Sequence, residues 1–93
     1  MQIRVGETIC DPIMPLHTVE AISEALHKNA WHVSLACQSC ADGDWVFSAL
    51  PVRRPCDEPC KDAYTKDPHS AIVATIHAHR EFFAQHGITL EDD

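Results

Sequence analysis

Five cysteines and seven histidines are the side chains of this 93-residue chain best equipped for chemistry, and four of the cysteines fall into two close pairs. Cys37-Gln38-Ser39-Cys40 is followed, after fifteen intervening residues, by Cys56-Asp57-Glu58-Pro59-Cys60. A tetrahedral zinc ion needs four soft ligands converging on one point, and two pairs, each on its own turn, supply them. The spacing therefore predicts one Zn²⁺ held by Cys37, Cys40, Cys56 and Cys60. All four positions are then filled by protein, leaving none for water or substrate. The second pair has three residues between its cysteines rather than the usual two, so His69, His77 or His79 is the alternative ligand in place of Cys56 or Cys60. His77 and His79 stand two apart on a helical stretch and point to nearly opposite sides, so they cannot both serve. Cys10, distant from both pairs, reads as a small buried apolar residue.

Other chemistries draw on the same residues. Cys37 and Cys40 also have the spacing of a redox dithiol, which wants a helix amino terminus to lower one thiol pKa. Here the pair runs into Ala41-Asp42-Gly43-Asp44, a turn whose aspartates work the other way. Arg53-Arg54, with Lys61 and Lys66 beyond, is the one basic concentration, and Trp45 or Phe47 offers a stacking surface for a nucleic acid. Asp57, Glu58, Asp62 and Asp67 are interspersed and nearly cancel it. No paired acids, phosphate-binding glycine loop or nucleophile constellation is present, so the chain does not read as an enzyme.

The elements that must position these groups follow from periodicity. Residues 1–14 read either as an edge strand over Gln2–Val5 or as a terminus pinned by Ile9 and Ile13. Leu16, Val19, Ile22, Leu26 and Ala30 recur at helical steps and predict an amphipathic helix over about 15–30, capped by Thr18 or opened by Pro15, with Asn29 as a stop. Trp31-His32-Val33-Ser34-Leu35-Ala36 and Trp45-Val46-Phe47-Ser48-Ala49-Leu50 alternate with a period of two, predicting a hairpin with the first cysteine pair at its tip. An extended second strand travels roughly 20 Å away from that tip, so the second pair reaches the first only if that strand is curved or short. Asp67 as amino cap, Pro68 at the first position and Gly87 as a stop predict one helix over 67–87, with Ile72, Ile76, His79 and Phe83 along its stripe. Residues 88–93 read as an acidic tail.

Leu, Ile, Val and Phe make 21 of the 93 residues, enough for one small domain whose core is marginal without a staple. Seven Lys and Arg against fourteen Asp and Glu give a formal charge of −7, which repels phosphate backbones and points to a protein partner instead. No apolar run has membrane-spanning length or the pattern of a signal peptide, and the default compartment is a reducing cytoplasm. There, cysteines serve as ligands more often than as disulfides.

A hairpin carrying Cys37-Gln38-Ser39-Cys40 and followed by a second pair resembles zinc-ribbon and zinc-knuckle domains over roughly residues 31–61. Trp31-His32 before the first pair, the Asp-rich link and the closing His79-Arg80-Glu81-Phe82-Phe83 are similar to small zinc-ribbon proteins of actinobacteria and their phages. WhiB-like iron–sulfur regulators share a small acidic chain with Cys-x-x-Cys, but they place a further cysteine closer than Cys56 stands here. The expectation is an α+β domain, residues 1–93, in which a zinc-stapled hairpin packs against two amphipathic helices and acts as a protein-interaction or regulatory module. The alternatives are a nucleic-acid-binding regulator using Arg53 and Arg54, and a thiol-redox or iron–sulfur protein using Cys37 and Cys40.

Overall fold

The computed structural model describes residues 1–39, 44–51 and 61–91. The chain opens with strand β1 (Gln2–Val5) and strand β2 (Thr8–Cys10), joined by a two-residue turn in which Gly6 takes φ +62°, a conformation that costs a side-chain-bearing residue energy. Helix α1 (Pro15–His27) follows, then strands β3 (Trp31–Ser39), β4 (Asp44–Pro51) and β5 (Lys61–Thr65). Helix α2 (Pro68–Ala78), the short helix α3 (Arg80–Gln85) and strand β6 (Ile88–Glu91) complete the order. The result is an α+β fold with two three-stranded antiparallel sheets, ordered β2-β1-β6 and β3-β4-β5.

The residues read as an acidic tail instead supply β6. Its Ile88 is buried, and the strand pairs with β1 from Gln2 opposite Glu91 to Val5 opposite Ile88. Ile88 and Leu90 face the interior often enough to overcome the acidic ending, and Arg4 adds a charge-assisted link. Its Nε donates to Glu91 Oε1, and Nη2 donates to Oε2 at 3.2 Å. A second link joins the two turns, with the Gly6 N–H donating to the Gly87 carbonyl at 2.8 Å. Gly87 has φ +77°, and the chain reverses there into β6.

Helix α1 lies against β3, and α2 lies against β4 and β5. Ile3, Ile22, Leu26, Phe47, Ile72, Ile76, Phe83 and Ile88 form one buried cluster with Cys10, Ala49 and Ala71, so both sheets share a core. Cys10 is thus a small core residue. The expected stripe of α1 is only partly inward. Ile22 and Leu26 are buried, whereas Leu16 is 69% exposed, and Thr18, expected as a cap, lies buried within the helix. Pro15 takes the first helical position instead. The helix ends at His27, and Ala30, at φ 64°, makes the left-handed step into β3.

The last helix is not continuous. It breaks at His79, whose φ of −130° and ψ of 45° are not helical, giving α2 and α3. Across the break, Phe83 enters the core while the Phe82 ring meets Trp31 at 4.4 Å between centroids and His86 at 4.9 Å. At the start of α2 the sequence signal is followed closely. Asp67 accepts from the Ser70 N–H at 2.8 Å and from the Ser70 hydroxyl at 2.9 Å, with Pro68 at the first position.

Candidate functional site at the hairpin tip and its groove

Strands β3 and β4 pair from Trp31 opposite Pro51 to Ser39 opposite Asp44, with a register shift between Cys37 and Ser39. Within this ladder Val33 faces Ala49, Leu35 faces Phe47 and Cys37 faces Trp45. Residues two apart share a face, so Cys37 continues the row of Val33 and Leu35 but lies past the core, where it is exposed. Cys40 falls in the connection between the strands, outside the described residues, as do Cys56, Cys60, Arg53 and Arg54.

The paired strands set a condition on a shared metal site. Strand β4 is neither short nor cut off, and β5 pairs with it from Trp45 opposite Thr65 to Ala49 opposite Lys61. Lys61 therefore lies four residues along the ladder from the level of Cys37 and two strands across. At ~3.3 Å per residue and ~4.8 Å per strand, their Cα atoms are about 16 Å apart. Two cysteines on one zinc, with Zn–S near 2.3 Å, hold their Cα atoms within about 10 Å. Lys61 itself is therefore placed beyond the reach of an ion bound at Cys37, and Cys56 and Cys60 lie outside the described residues.

The histidines considered as ligands are dispersed. His69 sits in the first turn of α2, where its Nε2 lies 3.0 Å from the Met1 carbonyl and must carry the proton, leaving a buried Nδ1 without a hydrogen-bond partner among the described residues. His77 is exposed near the end of α2, and His79 stands at the break. Among the described residues no three His, Cys, Asp or Glu side chains are placed to hold a metal ion. Five of the sequence-predicted metal and nucleic-acid residues lie outside the described chain, so Cys37 is the member of the cysteine set whose surroundings are visible.

Those surroundings include a groove that periodicity did not disclose. Leu35 and Trp45 form its floor on the hairpin; Ile13, Met14, Pro15, Leu16 and His17 form one wall; Pro68 closes the other. Its volume is about 400 Å³, and its lining is overwhelmingly apolar. Ile13 is 85% exposed and Leu16 69%, although both are residues that gain by burial. The groove exists because α1 begins beyond the edge of the core, so the first apolar residues of its stripe overhang the hairpin tip. The signal available in the sequence was Ile13-Met14-Pro15-Leu16, an apolar run too dense for one side of a helix start.

The borders of the groove are built from short-range polar contacts. The Ile13 N–H donates to Asp11 Oδ1 at 2.9 Å, and the Met14 N–H to the Asp11 carbonyl at 3.0 Å, folding the segment before α1 into a turn that turns Ile13 outward. Asp67, next to Pro68, has its carboxyl held below the usual carboxylate range, first by the Ser70 N–H and then by the Ser70 hydroxyl. Lys66 Nζ meets Asp44 Oδ1 at 2.6 Å beside Trp45. A second, more polar cleft lies at the other end of α1, where Asn29 Nδ2 stands 3.2 Å from His86 Nδ1, with Glu24, Lys28 and Gln85 around it. No helix among the described residues is long and apolar enough to cross a membrane. No family model matches the chain, and no curated protein or solved structure matches it either.

Proposed function

We propose that this chain is a protein-interaction module that binds its partner through the groove beside the hairpin tip, with a structural zinc ion bracing that tip. The observation that carries the reading is the concentration of exposed large apolar side chains, Ile13, Met14 and Leu16, around the half-buried Leu35 and Trp45. Exposed apolar residues scattered singly need no explanation, whereas a contiguous patch lining a concavity marks a contact surface. A net charge of −7 directs the choice toward protein rather than nucleic acid.

The zinc belongs to the same reading. Cys37 is exposed directly across from Trp45, so an ion at the tip would stiffen the strand ends that floor the groove. Its ligands are drawn from Cys37, Cys40, Cys56 and Cys60. When bound, the ion supplies cross-linking of the chain, and the protein side chains do no acid–base or redox work in this assignment.

The experiment is a pull-down from the native host with the wild-type chain and with Leu16→Asp in parallel. Leu16 is mostly exposed, so the substitution leaves the core intact. A protein retained by the wild type and lost by Leu16→Asp is the expected result. Nucleic acid recovered with a steep salt dependence, and unaffected by Leu16→Asp, would transfer the function to Arg53 and Arg54.

A further inference from the structure

We propose that the polar cleft at the far end of α1, separate from the groove, binds a small zwitterion: a free α-amino acid with an apolar side chain. The cleft has a volume of about 460 Å³ and lies where the second half of α1 faces the turn at Gly6 and the end of α3. That is ordinary space for a small-molecule site. The recess exists because α1 presents Ala21 and Ala25 there, side chains too short to fill the gap, and Val5 completes an apolar floor.

The charges that line the cleft decide the class of ligand. Glu24 and Lys28 both border it, one helical turn apart. A glutamate four residues before a lysine is the favourable order for a helical ion pair, yet these two pair neither with each other nor with any other described residue. The cleft thus offers one carboxylate and one ammonium, which cancel, on side chains whose Cβ atoms are about 5 to 6 Å apart. A simple anion would gain Lys28 but meet Glu24, and a simple cation would meet the reverse difficulty. A ligand with an ammonium and a carboxylate on the same carbon satisfies both, its ammonium toward Glu24 and its carboxylate toward Lys28.

Neutral polar groups complete the rim. Asn29 Nδ2 lies 3.2 Å from His86 Nδ1, tying the end of α1 to the end of α3. That contact uses the amide N–H and leaves Asn29 Oδ1 without a partner among the described residues, an acceptor for the ligand ammonium. Gln85 adds a second amide. The His86 ring meets Phe82 at 4.9 Å, and Phe82 meets Trp31 at 4.4 Å, so an occupant touching His86 is coupled by contact to an indole outside the groove.

The test uses the full chain with L-leucine and with L-phenylalanine, followed by calorimetry and by tryptophan fluorescence. Saturable one-to-one binding with a Kd at or below about 1 mM is expected for at least one of them. Analogues of that amino acid lacking the amino group, or lacking the carboxyl group, should bind about ten-fold or more weakly. Glu24 and Lys28 are exposed, so Glu24→Gln and Lys28→Gln leave the core intact. Each should weaken binding of the amino acid several-fold, and each should erase a different preference. Glu24→Gln should lose the discrimination against the analogue without an amino group, and Lys28→Gln that against the analogue without a carboxyl group. Leu16→Asp, in the groove at the other end of α1, should bind the amino acid as the wild type does. Failure of both amino acids to bind, an analogue binding as tightly as its parent, or preferences unchanged in both variants would overturn the proposal. Loss of binding in Leu16→Asp would overturn it as well, by placing the ligand in the groove.

Discussion

Two buried threonines show how far a single hydroxyl can depend on where it lands. Thr75 Oγ1 shares its one proton between two carbonyls, that of Ala71 within α2 at 2.9 Å and that of Phe47 in β4 at 3.2 Å, and so links helix to sheet. Thr18, equally buried in α1, has no hydrogen-bond partner for its hydroxyl among the described residues. Valine has nearly the same shape without the polar atom. Thr75→Val should therefore lower stability by about 1 kcal/mol, and Thr18→Val should leave it unchanged or raise it by about 1 kcal/mol. Urea denaturation of both variants checks the opposite signs. Asp67 is the other residue whose role is local. Asp67→Ala removes the cap of α2 and should cost about 1 kcal/mol. Because the folded-state pKa of Asp67 is depressed, its contribution is complete above the ordinary carboxylate pKa and fades as pH falls through the lower folded value. The wild-type and Asp67→Ala unfolding curves should accordingly converge in acid. A difference that persists below the folded pKa would mean that packing, not the ionised cap, is responsible.

At the scale of elements, the strands and the last helix depart furthest from what periodicity suggests. β6 is four residues long and ends in an acid, yet it forms one edge of the sheet that β1 centres. Ile88 is 1% exposed within it, in contact with the cluster that also holds Ile3 and Phe83. Ile88→Ala should cost about 2 to 5 kcal/mol, the range for truncating a core isoleucine. A mild effect in thermal or chemical denaturation would show that β6 is an ornament rather than a structural edge. The break at His79 has a parallel consequence for packing. It separates the residues that meet β4 and β5 from those that meet Trp31, so one sequence stripe serves two neighbours.

For the whole molecule, the question is how a chain of this size with a modest core holds a groove open at one corner. A metal staple at the hairpin tip is our answer, and metal removal tests it. Purified protein should be colourless, contain close to one zinc per chain, and lose far-UV structure on treatment with a strong chelator. Cys37→Ser and Cys40→Ser should both lose zinc and stability. Cys10→Ser should retain zinc, its effect limited to packing in the core. A visible absorption band that bleaches on reduction, or a folded metal-free protein cycling between dithiol and disulfide, would replace the zinc with an iron–sulfur or redox role.

Local physics was legible without coordinates wherever a residue acts on its immediate neighbours. Pro68 behind Asp67, the alternation of Trp31, Val33 and Leu35, and the stop at Gly87 each follow from short-range sterics and hydrogen bonding, and those elements stand where the residues place them. Tertiary structure alone decided what lies between elements. That Ile88–Glu91 is a strand depends on β1 offering it a partner 87 positions away at Arg4 and Glu91, which no local pattern encodes. That Leu16 lies in water while Ile22 and Leu26 are buried depends on where α1 crosses the hairpin, since the helical stripe is the same in both cases. The groove follows from that crossing: the sequence determined that α1 has an apolar side, and the packing of the sheet beneath it determined which part of that side was left uncovered.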